Sequence, residues 1–194
     1  MIDATTHESG DTGSFTVVLD AQPTANVTVD LSSNDTTEGT VTTTSGGSTN
    51  TLTFTTGNWS DAQTVTVTGV DDGFDDGDQT YTVDVSASGG GFDGVTSEAS
   101  LFNNTDDDSV GVDVEAIDAT TSETGDPGTF RVKLAARPTA NVNVDVGSDD
   151  LGEGTVGPTD PRTLAFNTAN WSTWQTVTIT GVDDQIADGD VTYT

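Results

Sequence analysis

The sequence predicts an all-β chain: two tandem antiparallel β-sandwich domains of seven strands each, the second truncated. Three observations predict it. Apolar residues alternate with polar ones over many short runs, as in NVTVDL from Asn26 and QTVTVTGV from Gln63, and side chains of an extended chain alternate faces. Threonine, a good strand former, fills the outward positions. The whole pattern also occurs twice. IDATTHESGD at Ile2 returns as IDATTSETGD at Ile117, EGTV at Glu38 returns at Glu153, and NWSDAQTVTVTGVDD at Asn58 returns as NWSTWQTVTITGVDD at Asn170. A duplication of this length suits whole sandwich domains in tandem. The expected division is 1–108 for the first repeat and 109–194 for the second.

Turn residues bound seven strand candidates within one unit of the repeat. Strand A is clearest in the second copy, Val110 to Ala116. Strand B is Ser14 to Asp20, with Phe15, Val17 and Leu19 inward. Strand C is Asn26 to Ser32, with Val27, Val29 and Leu31 inward. Strand D combines Thr40-Val41 with Thr51 to Phe54, across a Gly/Ser/Thr-rich insertion. Strand E is Gln63 to Val70. Strand F is Thr80 to Ser86, with Tyr81, Val83 and Val85 inward. Strand G runs from about Ser97 to Asn103. No stretch shows helical periodicity. The first copy has little of strand A, and the second stops just inside strand F. The chain therefore reads as a fragment of a longer array, the alternative being that a strand from another chain fills the gap.

Composition narrows the function. The 194 residues carry 33 acidic against 4 basic side chains, a net charge of −29. Binding nucleic acid or an anionic membrane requires the opposite sign, and no apolar run is long enough to span a bilayer. There is no cysteine, so a metal takes on value as an alternative clamp. The near absence of lysine fits a high-salt or marine source. No zinc motif or nucleophile elbow occurs, and the expected protein is not an enzyme.

Strand succession sorts the acids. In an up-and-down order of seven strands, the A–B, C–D and E–F connections and the tail after G emerge at one end. These hold Glu8 and Asp11, then Asp35 and Glu38, then Asp71, Asp72, Asp75, Asp76 and Asp78, then Asp106, Asp107 and Asp108. The opposite end has only Asp61 and Asp93 in its loops. Carboxylates so crowded repel unless solvent or a cation neutralises them. Calcium takes six to eight oxygens, largely carboxylate and carbonyl. Scattered acids such as Asp20, Asp30 and Asp84 read as a solvated surface, and the polar crowd reads as a calcium site.

Glu8-Ser9-Gly10 before strand B, Asp71-Asp72 with Asp76-Gly77-Asp78 before Tyr81, and the closing Asp106-Asp107-Asp108 resemble the Calx-beta motif family. The resemblance implies an Ig-like, seven-stranded sandwich that binds Ca2+ at one pole. By position it assigns metal ligation to Glu8, Asp35, Asp71, Asp72, Asp76, Asp106, Asp107 and Asp108. In the second copy it assigns Glu123, Asp150, Asp183, Asp184 and Asp188. Departures are visible. The glutamate expected two residues before the aromatic is Gln79 here and Val191 in the second copy, Ala187 stands where the first copy has Asp75, and the second copy has no DDD tail. Fewer or weaker ions are expected there.

QPTANVTV and the NW-to-VDD segment also resemble long tandem arrays of large bacterial surface and secreted proteins. The resemblance implies an extracellular, adhesin-type extender whose partners are neighbouring repeats of the same chain. Two alternatives stand beside it: a filament or surface-layer subunit, a homo-oligomer completed by strand pairing, and an accessory domain of a secreted polysaccharide-active enzyme. Trp59 and Trp171 read as sandwich-end cover, Trp174 as exposed, and the lone His7, replaced by Ser122 in the second copy, as neither ligand nor catalyst.

Overall fold

A computed structural model describes residues 3–43, 50–98, 101–183 and 189–194. Among these residues there are strands, turns and bends but no helix. The chain divides into two compact units, one of residues 1–72 and 76–107, the other of 73–75 and 108–194.

The first unit contains β1 (Thr5–His7), β2 (Thr12–Val17), β3 (Val27–Ser33), β4 (Gly39–Thr43), β5 (Thr51–Phe54), β6 (Gln63–Gly69), β7 (Gln79–Tyr81), β8 (Val83–Ser88), β9 (Val95–Glu98) and β10 (Phe102–Thr105). They form sheets in the orders β2-β6-β4, β5-β3-β8-β9 and β1-β10-β7. The period-two pattern predicted for strand C holds along β3, where Val27, Val29 and Leu31 are buried and the residues between them exposed. On β6, Val65 and Val67 are fully buried. Of the predicted inward residues, Phe15, Leu19, Tyr81 and Val83 are buried, and Val17 and Val85 pack half-buried against the core.

Three predicted strands divide. Strand D becomes β4, which continues the ladder of β6, and β5, which pairs with β3. Strand F becomes β7, paired with β10, and β8, paired with β3 and β9. Thr82, between its halves, leaves the ladder, and Asn34 takes over its backbone. The Asn34 amide donates to Thr82 O at 3.0 Å, and Thr82 N donates to Asn34 Oδ1 at 2.8 Å. Strand G becomes β9 and β10. Each division lets one stretch serve two sheets, which the inward alternation alone does not register. A further departure from an all-antiparallel scheme is β1, which runs parallel to β10, Thr5 opposite Asn103.

The centre of this unit is aromatic. Phe102 stacks on Tyr81 with ring centroids 5.7 Å apart and meets Phe15 at 6.0 Å. The Tyr81 hydroxyl and Thr6 Oγ1 share a hydrogen bond of 3.0 Å. Gly39 is required beneath the ring, because a Cβ there would fall 2.2 Å from Tyr81 Cζ.

The second unit contains β11 (Val112–Asp118), β12 (Pro127–Leu134), β13 (Val142–Val146), β14 (Gly154–Val156), β15 (Arg162–Phe166) and β16 (Gln175–Gly181). They form sheets in the orders β11-β12-β16-β14 and β13-β15. Strand A of the sequence reading is β11, begun two residues later and ended two later. The tyrosine arrangement repeats: Thr121 Oγ1 and the Tyr193 hydroxyl lie 2.6 Å apart, and a Cβ on Gly154 would meet the Tyr193 ring at 2.4 Å. Trp171 packs half-buried on this core, as Trp59 does on the first.

Candidate metal centre

Strand directions in the first unit bring the acids together. β1 and β10 are parallel, so Glu8, just past β1, and Asp107, just past β10, emerge at the same end. β7 runs antiparallel to β10, which places the start of β7 and the preceding Asp76 there too. β4 and β6 are antiparallel with Gly39 opposite Gly69, so Glu38 precedes β4 where Asp71 and Asp72 follow β6.

Two groups of carboxylates result. Oxygens of Glu38, Asp72 and Asp76 lie within 4.8 Å of one another, and so do oxygens of Glu8, Asp71 and Asp107. Oxygens around one calcium ion, each about 2.3–2.6 Å from it, are at most roughly 5 Å apart. Neither group contains a histidine, and the chain has no cysteine. Such an oxygen-only donor set suits a hard cation rather than a transition metal.

Two of these acids are buried, which is costly for a carboxylate without a partner. Glu8 is 3% exposed, and its Oε2 has no hydrogen-bond partner. A backbone hydrogen bond from Asp107 reaches its carboxylate. Burial pushes the Glu8 carboxyl up to about 7, and the negative charges of Asp106, Asp72 and Asp76 push the same way. Glu38 is 7% exposed. Its carboxyl is also raised, first by burial and then by Asp76, Asp35 and Asp72, against a hydrogen bond from Asn104. Asn104 Nδ2 donates to Glu38 Oε2 at 3.3 Å and to Val70 O at 3.1 Å, and Thr6 Oγ1 donates to Asn104 Oδ1 at 3.0 Å.

Asp35 and Asp106 are engaged in backbone hydrogen bonds. Asp35 is absent from both groups: its Oδ1 accepts from Thr37 N at 3.0 Å and from Thr37 Oγ1 at 2.5 Å, closing a turn. Those hydrogen bonds hold its carboxyl below the usual range. The C–D connection therefore contributes Glu38, which the position-by-position assignment passed over. The signal was present in the recurrence of EGTV at Glu38 and Glu153, each just before a strand. Asp106 binds the loop that precedes β7, its Oδ2 accepting from Gly77 N at 2.7 Å, while Asp78 Oδ1 accepts from Asp106 N at 3.3 Å. Asp108 opens the second unit.

In the second unit, no three acids of that unit converge among the described residues. Glu123 is exposed where its counterpart Glu8 is buried. Asp150 Oδ1 accepts from Gly152 N at 2.9 Å within a turn. Asp183 is exposed, and Asp184 and Asp188 lie outside the described residues.

Fold and site together define an all-β chain with an oxygen-only candidate cation centre at one end of its first unit. Among solved structures it is similar to the calcium binding domain CBD12 of CALX1.1, at 17% identity over 93% of this chain and 73% of that one, with a TM-score of 0.37. It is similar to CBD12 from CALX1.2 at 16% identity over 97% and 74%, with a TM-score of 0.38. The C terminal domain of the Streptococcus agalactiae AgI/II polypeptide BspA follows at 8% identity over 93% and 87%, with a TM-score of 0.24. No protein-family model and no curated protein sequence matches.

Proposed function

We propose that this chain is a non-catalytic calcium-binding structural module, an extender of an extracellular bacterial surface protein of the adhesin type. The observation that carries the reading is Glu8: a buried carboxylate with an unpartnered oxygen, set among Asp71 and Asp107. A cation there supplies the missing partner and offsets the repulsion that raises the Glu8 carboxyl. Glu8, Asp71 and Asp107 would hold one ion, and Glu38, Asp72 and Asp76 a second, with backbone carbonyls and water completing each shell. The ions contribute charge neutralisation and cross-linking, tying the ends of β1, β4, β6, β7 and β10. Because Asp107 leads directly into the second repeat, the same ions would stiffen the connection between successive repeats.

The sequence motifs that resemble Calx-beta domains support calcium as the cation, and the array-like repetition supports the surface-protein setting. Calorimetric titration of the chelator-treated protein tests the reading. Saturable calcium binding that Glu8→Gln weakens is expected, and heat no different from buffer dilution overturns it.

A further inference from the structure

The second unit includes three residues that the sequence repeat assigns to the first copy, Gly73, Phe74 and Asp75. Within that unit the segment is held along its whole length. Gly73 O accepts from Arg137 N at 2.7 Å, and Asp75 Oδ2 accepts from Val110 N at 2.7 Å. Between them Phe74 is half-buried, with the Arg137 guanidinium 4.7 Å from its ring centroid. A cation so placed over an aromatic face is attracted to it. Gly73 has a φ of 77°, and a Cβ there would stand 3.3 Å from the Trp171 ring. A side chain at this position is disfavoured twice, by backbone conformation and by close approach.

The two copies differ where this contact is made. Gln185, Ile186 and Ala187 stand in the second copy where the first has Gly73, Phe74 and Asp75, and Gln22 stands in the first where the second has Arg137. Around these positions the copies agree: GVDD precedes the segment in both, and PTANV follows both Gln22 and Arg137. The segment and the residue that receives it depart from the repeat together, as a matched pair does.

Asp72 and Asp76, two carboxylates of the candidate metal centre, stand on either side of this segment. Fixing Gly73 to Asp75 removes backbone freedom that both acids would otherwise lose on binding an ion. We propose that Phe74 is a positioning residue for the cation centre: clasped by Arg137, it presets the loop that carries Asp72 and Asp76 and so makes calcium affinity depend on the second repeat. The inference rests on the calcium reading above. By linkage, calcium tightens the clasp by the same factor.

Calorimetric calcium titrations of the intact chain test it, with Phe74→Ala, Phe74→Tyr and Arg137→Gln. Phe74→Ala and Arg137→Gln should each weaken binding roughly fivefold or more, and Phe74→Tyr, which keeps an aromatic face, should bind as the parent does. Arg137→Gln removes a positive charge, which by itself would favour a cation, so weakening reports the clasp. Hydrogen exchange in chelator gives a second readout: the Arg137 amide, held by Gly73 O, should exchange faster in Phe74→Ala. Unchanged or tighter binding in either weakened variant, a tyrosine variant as weak as the alanine one, or unchanged exchange at Arg137 overturns this proposal alone. A parent that binds no calcium overturns the calcium reading and this proposal with it.

Discussion

Asn104 donates to Glu38 across 66 positions of sequence, at 3.3 Å, both residues buried. The same amide side chain is anchored by Thr6 and by the Val70 carbonyl. It therefore fixes a carboxylate of the candidate metal centre from the strand beside it. Asn104→Ala leaves buried polar groups without their partner, which costs about 1–3 kcal/mol. Thermal melts of the chelated protein should show the loss. Calcium should recover part of it, since a cation replaces the missing donor at Glu38.

Glu8→Gln separates charge from shape. Above pH 7 the variant has no buried charge to maintain, so the metal-free protein should melt higher than the parent. Its gain in melting temperature from calcium should shrink, with affinity down roughly tenfold or more, because the number of charged ligands sets calcium affinity. Equal calcium gains in the two proteins would remove Glu8 from the site.

The raised Glu8 carboxyl also sets a pH dependence with a definite sign. Its ordinary value is 4.5 and its value in the fold about 7. Between these the folded chain binds more protons than the unfolded one, so stability falls as pH rises. The fall for Glu8 alone is of order 3 kcal/mol, at about 1.4 kcal/mol per unit, and Glu38 adds in the same direction. Denaturant titrations in chelator from pH 4.5 to 8 should show this decline. With saturating calcium the trend should flatten or reverse, since the ion binds the deprotonated carboxylates.

Phe102→Ala empties the centre of the first unit and should cost about 3–5 kcal/mol. Gly39→Ala presses a methyl against the Tyr81 ring, which is 1% exposed, and overpacking of this kind typically costs about 1–3 kcal/mol. Differential scanning calorimetry of both variants checks the pair.

Much of this was legible in the sequence where period-two alternation meets a two-sided core. Val27, Val29 and Leu31 announce their strand because each faces the same interior. The division of strand F at Thr82 was not legible, because Tyr81 and Val83 both point inward while their backbones pair with different strands. The meeting of Asp71 and Asp107 with Glu8, and of Asp72 with Asp76, follows from strand direction, which counting strands captures. The exchange of Asp35 for Glu38 does not. It depends on Thr37 engaging Asp35 in a local turn, and on Asn104 waiting beside β4 for the longer acid.

The parallel pairing of β1 with β10 has a mechanical consequence. The two strands lie near opposite ends of the first unit's sequence, so tension between Asp3 and Asp107 draws them along their common axis in opposite senses. The three-residue ladder is then loaded in shear, its hydrogen bonds bearing the pull together rather than opening one after another.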